Sequence, residues 1–510
     1  MHLSIRHNLV ANYASQFYVM VIGIVMAPVY LSYMGQEAYG LIGFFTVMSA
    51  WFQLLDIGLT PTLTRETARF RGGAITVDML RSLLRSLELI FGTVSVAAGA
   101  AMVLFSGWIA AHWLNVEHLS VSSVALSVAL MGITIPLRWI AGLYRGVVNG
   151  FERQVWLGGY NIIIATLRFV GVLAVFKTLG ATPEHFFTYQ LILAMAELGG
   201  LAIMTYGLVR RGSAARAKFS WAPLLTNLPF SLTIAFTATV WLGIMQTDRL
   251  VLSKLLTLSA YGVFSIAIVA AATVTALGAA LGQAVLPRLT KFGAENNTSA
   301  IASLYHAATQ VTCVIAAPTV AILVFFAEPV LTAWTGKTGI ADQAAPILRL
   351  YAIGNGVASL YAFPYFLQYA KGNLRLHLIA NTIQLLLLVP LIIAAARYYG
   401  PIGTGAVWVI SNVLYFLIYA PLVHIKFFPG IHKRWLLHDI ATIIAPVTIA
   451  GWLLSLILPL PHGRLAMFAE VGAIGLFLLL IAGVASTVVR NAFLSSLKSR
   501  FNVQRAGETP

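Results

Sequence analysis

The sequence predicts an all-α polytopic membrane protein with about fourteen transmembrane helices, and three observations predict it. Of its 510 residues, 59% are hydrophobic and only 9% charged, whereas a soluble chain carries roughly a quarter charged. Apolar runs of about twenty residues, the length that crosses a hydrocarbon core, recur almost from end to end. Lys and Arg collect at alternate ends of those runs, as the positive-inside rule requires.

A short basic stretch, Met1 to Val10, precedes the first run, about Phe17 to Leu31. That run exceeds a signal peptide's apolar region, and Pro28-Val29-Tyr30-Leu31 lacks the small residues of a cleavage site, so it reads as a retained helix. Spans are expected at about 10–32, 39–62, 87–111, 121–141, 157–179, 187–209, 223–246, 260–285, 304–327, 344–367, 376–396, 402–424, 439–460 and 465–489. With a cytoplasmic N-terminus, twenty-four of the thirty-two Lys and Arg fall in cytoplasmic segments and adjoining helix ends, Arg138 and Arg145 among them. The other eight are Arg168, Lys177, Arg249, Lys254, Lys337, Arg349, Arg397 and Arg464. This threefold bias places both termini in the cytoplasm.

The same bias accounts for the net charge of +16. In a soluble protein that charge would point to nucleic acid; here anionic lipid headgroups are the expected partner. The single cysteine, Cys313, lies in an apolar run, excludes an intrachain disulfide and reads as a packing residue. Connections such as Ala181 to His185 and Leu460 to Arg464 are too short for a soluble domain. Leu63 to Ser86 interleaves five arginines with apolar residues, which suits an amphipathic helix on the inner leaflet.

An internal repeat organises the spans. Leu31-Ser32 followed by Tyr39-Gly40 reappears as Leu252-Ser253 followed by Tyr261-Gly262, and Gly150 with Arg153 recurs as Gly372 with Arg375. Six expected spans separate the copies, and an even number preserves direction, so the repeat is parallel about an axis along the membrane normal. Residues 1–215 and 216–430 are therefore expected as two six-helix lobes, with 431–510 supplying two appended helices and a cytoplasmic tail.

Charges inside spans are scarce and costly, at least about 2.5–3.5 kcal/mol each at the bilayer centre. Arg168 lies midway along the fifth span, with Asn161 one heptad earlier. Glu197 is central in the sixth, with Gln190 one heptad before it. Arg349 sits one turn inside the tenth, and Asp248-Arg249 ends the seventh. Arginines near a repeat interface suit a cavity that attracts a diphosphate, because guanidinium binds phosphate oxygens in pairs and stays charged in a dry site. Arg349 and Arg249 have an alternative, snorkelling to the headgroups. Glu197 and Asp248 could bind H+ or Na+, or pair with an arginine. Asp56, close to Gly58 and Pro61, reads foremost as a helix-end or inter-helix contact, with the same ion-coupling or pairing roles open to it.

Enzyme signatures are missing. Gly336-Lys337-Thr338 mimics the end of a phosphate loop, but Leu331 stands where its first glycine is required. There is no His-Glu-x-x-His, and His432 and His438 flank Lys433-Arg434 in a pattern that suits lipid headgroups better than a metal. Neither a metal nor another cofactor is expected.

The run Leu31-Ser32-Tyr33-Met34-Gly35-Gln36-Glu37-Ala38-Tyr39-Gly40-Leu41 resembles the first periplasmic turn of polysaccharide-biosynthesis, O-antigen-type oligosaccharide flippases. Leu54-Leu55-Asp56-Ile57-Gly58-Leu59, leading to Thr64-Arg65, is similar to their second helix and its exit. Arg145-Gly146, Asn149-Gly150 and Glu152-Arg153 match the loop before their fifth helix, and Asp248-Arg249-Leu250-Val251-Leu252-Ser253, then Leu286-Pro287-Arg288-Leu289, follow in order. The resemblance spans roughly residues 1–425. It implies membership of the multidrug/oligosaccharidyl-lipid/polysaccharide superfamily, a two-lobed V-shaped fold with alternating access, and a central cationic cavity for a polyprenyl-diphosphate-linked oligosaccharide. It also implies a bacterial inner membrane, antiport driven by an ion such as H+ or Na+, and work alongside polysaccharide polymerase machinery. The cavity roles of Arg168 and Arg349 rest on their position, since no shared motif includes them. A multidrug exporter of the same superfamily is the alternative among transporters. A polytopic glycan polymerase or glycosyltransferase would need a large periplasmic catalytic loop, for which the spacing leaves no room.

Overall fold

The computed structural model describes residues 5–209, 222–458 and 463–495. The expected cytoplasmic cations Arg210, Arg211, Arg216, Lys218, Lys498, Arg500 and Arg505, and the expected lobe boundary at 215/216, lie outside the described residues.

A backbone in hydrocarbon has no water to bond, so it must satisfy its own N–H and C=O groups along the chain. The described residues accordingly form helices and no strand; their one extended contact is an isolated bridge between Asn115 and Thr257. Among the described residues, ten helices are long and apolar enough to cross a membrane. Two of them, Ala11–Asp56 and Arg375–Phe427, have 46 and 53 residues. At 1.5 Å per residue the longer would reach about 80 Å, more than twice the roughly 30 Å of hydrocarbon. Each is broken by a glycine in a conformation other residues avoid: Gly35 at φ 84°, ψ 174°, and Gly400 at φ 58°, ψ −144°. Ala222–Leu255, which carries Asp248, Arg249 and Lys254, and Thr338–Ala370, which carries Asp342 and Arg349, are also long.

The second half of the first long helix ends in a tight turn, Gln53–Asp56, followed by Ile57 and Gly58, both left-handed at φ 46° and 71°. The helix Leu59–Arg71 then starts afresh. This basic segment does not stand alone on the inner leaflet. It buries Thr62, Leu63, Glu66 and Thr67 and packs on Val121–Gly150, where Gly146 and Gly150 allow close approach. The next span begins at Val77, capped by the Thr76 hydroxyl, well before residue 87. It begins early because Arg81 and Arg85 ride on its first turns, their apolar stems along the helix and their heads finding partners. Arg81 donates to the Val209 carbonyl at 3.1 Å, and Arg85 pairs with Glu88 at 3.1 Å.

The chain forms two compact units, Met1–Ser265 and Ile266–Pro510. In the second, Ile431–Ile457 and Arg464–Ala485 pack on Thr298–Phe325. Trp435, fully buried, donates to Thr309 at 2.9 Å. Gln310 donates to Asp439 at 2.8 Å and accepts from Ser486 and Val488 at 2.9 and 3.1 Å, so one amide ties three segments together. Cys313 is buried in the same core.

Candidate functional site

A cavity of about 770 Å³ opens within the first unit. Its polar lining includes Arg138, Arg145, Arg168, Gln190, Glu197 and Asp56, among aromatic walls such as Tyr30, Trp139 and Trp241.

Local structure explains how Arg168 comes to face it. The helix Gln154–Thr166 passes into a π-turn, Leu167–Gly171, before resuming as Val172–Thr178. A π-turn adds a residue to the helical repeat and loosens the carbonyl ladder. Three side chains bond the carbonyls there: Tyr189 takes Leu167 O at 2.8 Å, Gln190 takes Arg168 O at 3.4 Å and Tyr30 takes Phe169 O at 2.7 Å. The turn that carries Arg168 is thus braced from the first span and from Pro183–Val209.

Arg138 and Arg145 lie seven residues apart on Val121–Gly150, hence on one face. Gln190 and Glu197 have the same spacing on Pro183–Val209. Arg138 Nη2 donates to Gln190 Oε1 at 2.6 Å, and Arg145 Nη2 pairs with Glu197 Oε1. Equal steps on both helices keep the register only if the two run parallel. The second carboxylate oxygen of Glu197 accepts from Arg168 Nη2 at 2.5 Å. One buried carboxylate, its side chain 3% exposed, therefore bridges two guanidinium groups.

Donors outnumber acceptors here. The Nε–H of Arg138, Arg145 and Arg168 and the indole N–H of Trp139 are buried without an acceptor. Native interiors rarely leave such groups unpaired, because each costs about 1–3 kcal/mol. Asp56, the other carboxylate in the lining, is engaged at the start of Leu59–Arg71, where it accepts from the Thr60 N–H at 3.2 Å and the Thr60 hydroxyl at 2.5 Å. From two residues ahead of the Gly58 cap, it thus satisfies one of the free amides of the helix's first turn. Three guanidinium groups against two carboxylates leave the cavity cationic.

Among the residues singled out from sequence, the structure brings Arg168, Glu197 and Asp56 to this cavity and leaves Arg249, Asp248 and Arg349 outside its lining. Asp248, buried near the end of Ala222–Leu255, accepts the Arg249 N–H at 2.7 Å. Arg349, in the second unit, pairs with the half-exposed Glu328 at 3.0 Å and donates to Val324 O at 3.1 Å. Because the apolar run fades near residue 141, hydropathy alone places Arg138 and Arg145 at a cytoplasmic helix end. The helix itself continues to Gly150 and turns both inward. A signal did exist: their heptad spacing matches that of Gln190 and Glu197.

The fold of this polytopic helical chain recurs among solved structures. It is similar to "Lipid II flippase MurJ, inward closed conformation", with a TM-score of 0.70 over 94% of this chain and 98% of that one at 16% identity. It is also similar to an inward-facing multidrug resistance MATE family transporter of the MOP superfamily, with a TM-score of 0.65 over 81% of this chain and 94% of that one at 15% identity. The chain thus has the MOP-superfamily fold.

Residues 5–293 match the family described as polysaccharide biosynthesis protein, and the chain belongs to that family. A curated relative, the Shigella flexneri "Putative O-antigen transporter", is 21% identical over 389 residues, covering 75% of this chain and 88% of that protein.

Proposed function

We propose that this protein is a flippase, not an enzyme, and that it carries a polyprenyl-diphosphate-linked oligosaccharide from the cytoplasmic to the periplasmic leaflet of a bacterial inner membrane. The observation that carries this reading is the cluster of Arg138, Arg145 and Arg168 around one cavity with donors left over. Guanidinium groups bind phosphate oxygens through paired, charge-assisted hydrogen bonds and remain protonated in a dry site. A cationic drug, the cargo of a multidrug exporter, would meet like charge there. The family and the relative's O-antigen name support an anionic glycan lipid as the cargo.

Fourteen spans follow when the two glycine-broken helices are each counted twice and Ala222–Leu255 and Thr338–Ala370 are counted as crossing. That even number keeps both termini on one side, the cytoplasmic one by the bias of Lys and Arg. Alternating access of two lobes would then move the site between leaflets, with a carboxylate, Glu197 or Asp56, as the group through which an ion gradient could act. Asp248, Arg249 and Arg349 stand apart from the proposed binding site.

The test is to deplete the protein and locate its lipid-linked repeat units with a membrane-impermeant glycan-modifying reagent. Accumulation on the inner leaflet is the expected result. Complete repeat units already on the outer leaflet would overturn the reading.

A further inference from the structure

The cavity already holds an anion of its own. Glu197 presents one oxygen to Arg145 and the other to Arg168, which is how two oxygens of a phosphate group would engage two arginines. Holding the helices together does not require ions at this position. In the second unit, Thr338–Ala370 and Arg375–Phe427 show the same pairing with neutral groups. Tyr361 donates to Asn412 at 2.7 Å, and Gln368 donates to Tyr419 at 2.5 Å, again with seven residues between the pairs. Arg138 with Gln190, and Arg145 with Glu197, are the matching pairs in the first unit, 222 or 223 residues earlier. A hydrogen bond does this work in one unit, whereas the other pays the desolvation cost of a buried ion pair.

We infer that Glu197 is an internal counter-anion: it occupies Arg145 and Arg168 when no cargo is bound and competes with the cargo's diphosphate for them. This rests on the reading of the cavity as a diphosphate site. Bare guanidinium groups in a low-dielectric cavity would be destabilising, and a tethered carboxylate neutralises them. Binding then becomes an exchange of one anion for another. Apparent affinity is the intrinsic affinity multiplied by the fraction of molecules in which the arginines are free, and release is assisted because Glu197 returns to them. Tyr160 holds the segment from behind, donating to the carbonyls of Ala196 and Glu197 at 3.1 Å and leaving the carboxylate to the arginines.

The test is titration calorimetry of the full-length purified protein with farnesyl diphosphate, a short polyprenyl diphosphate, as the probe. The wild type should bind, Arg168→Ala should bind weakly, and Glu197→Gln should bind about tenfold or more tightly than the wild type. Glu197→Asp, which keeps the charge but shortens its reach, should fall between wild type and Glu197→Gln. It decides the matter by the same criterion if Glu197→Gln fails to fold. Damage to the fold weakens binding, so a gain in affinity separates competition from a structural role. Wild-type binding that depends on Arg168 but is unchanged or weakened by Glu197→Gln overturns the counter-anion role alone. No wild-type binding, or binding indifferent to Arg168→Ala, overturns the cavity reading and this inference with it.

Discussion

Glu37 accepts the backbone N–H of Leu119 at 3.0 Å, and the same carboxylate takes the N–H groups of Glu117 at 2.7 Å and His118 at 2.9 Å. A single side chain just past the Gly35 break thus satisfies three consecutive amides ahead of Val121–Gly150. Next to it, the Asn115 amide donates to the carbonyls of Lys254 and Leu256 at 2.9 and 3.2 Å, and Trp113 donates to Ser253 at 3.1 Å. Three connections of the first unit are tied at one end of its helices.

Glu37→Ala leaves those amides without an acceptor and should destabilise the protein by about 3 kcal/mol, since hydrogen bonds to a charged group are worth about 1.5–3 kcal/mol each. Glu37→Gln retains one acceptor oxygen and should lose less. Thermal unfolding in detergent ranks the three proteins. Hydrogen exchange at residues 117–119 should accelerate in the alanine variant, and unchanged protection there would count against the tie.

Close approach of Leu59–Arg71 to Val121–Gly150 depends on Gly150. A Cβ at that position would stand 2.5 Å from Thr67 Cβ and 2.7 Å from the Thr64 carbonyl, whereas one at Gly142 meets nothing within 4 Å. Gly150→Ala should therefore cost about 1–3 kcal/mol, the usual penalty of overpacking. Gly142→Ala should be tolerated. Equal melting temperatures for the two variants would contradict this packing.

Ile57 sits at φ 46° beside the cavity. A β-branched residue in the left-handed region is an outlier that costs roughly 1–2 kcal/mol. Because its side chain is 43% exposed, Ile57→Gly forfeits little packing and should raise the melting temperature. A lower melting temperature would show that Ile57 contributes more by contact than it loses by strain.

Arg145→Ala and Arg168→Ala should each weaken binding of a diphosphate by about tenfold to a hundredfold, as expected when charge-assisted bonds worth about 1.5–3 kcal/mol are lost. Each should also block export of the glycan lipid while the protein still inserts. Arg349→Ala should leave export intact, because exposed ion pairs such as Arg349 with Glu328 contribute only about 0–1 kcal/mol. Export assays in cells depleted of the wild-type protein compare the three directly.

Much of the site was legible in part. The scarcity of charge within apolar runs picked out Arg168 and Glu197, which meet at 2.5 Å. It also picked out Arg349, equally isolated in sequence but paired with Glu328 in the second unit. Arg138 and Arg145 were hidden for a specific reason. A span is located by where hydropathy fades, but a helix continues for as long as its backbone bonds and side-chain partners are satisfied. Val121–Gly150 runs past the apolar segment because Arg145 finds Glu197, and Gly146 and Gly150 receive Leu59–Arg71.

The sequence by itself determined the membrane class, the positions of most helices and the duplicated motifs, because hydropathy, charge bias and glycine placement are properties of consecutive residues. Only the tertiary structure decided which charges share one cavity. That depends on helix rotation, on the π-turn that aims Arg168, and on contacts such as Arg145 with Glu197 that join residues far apart in the chain.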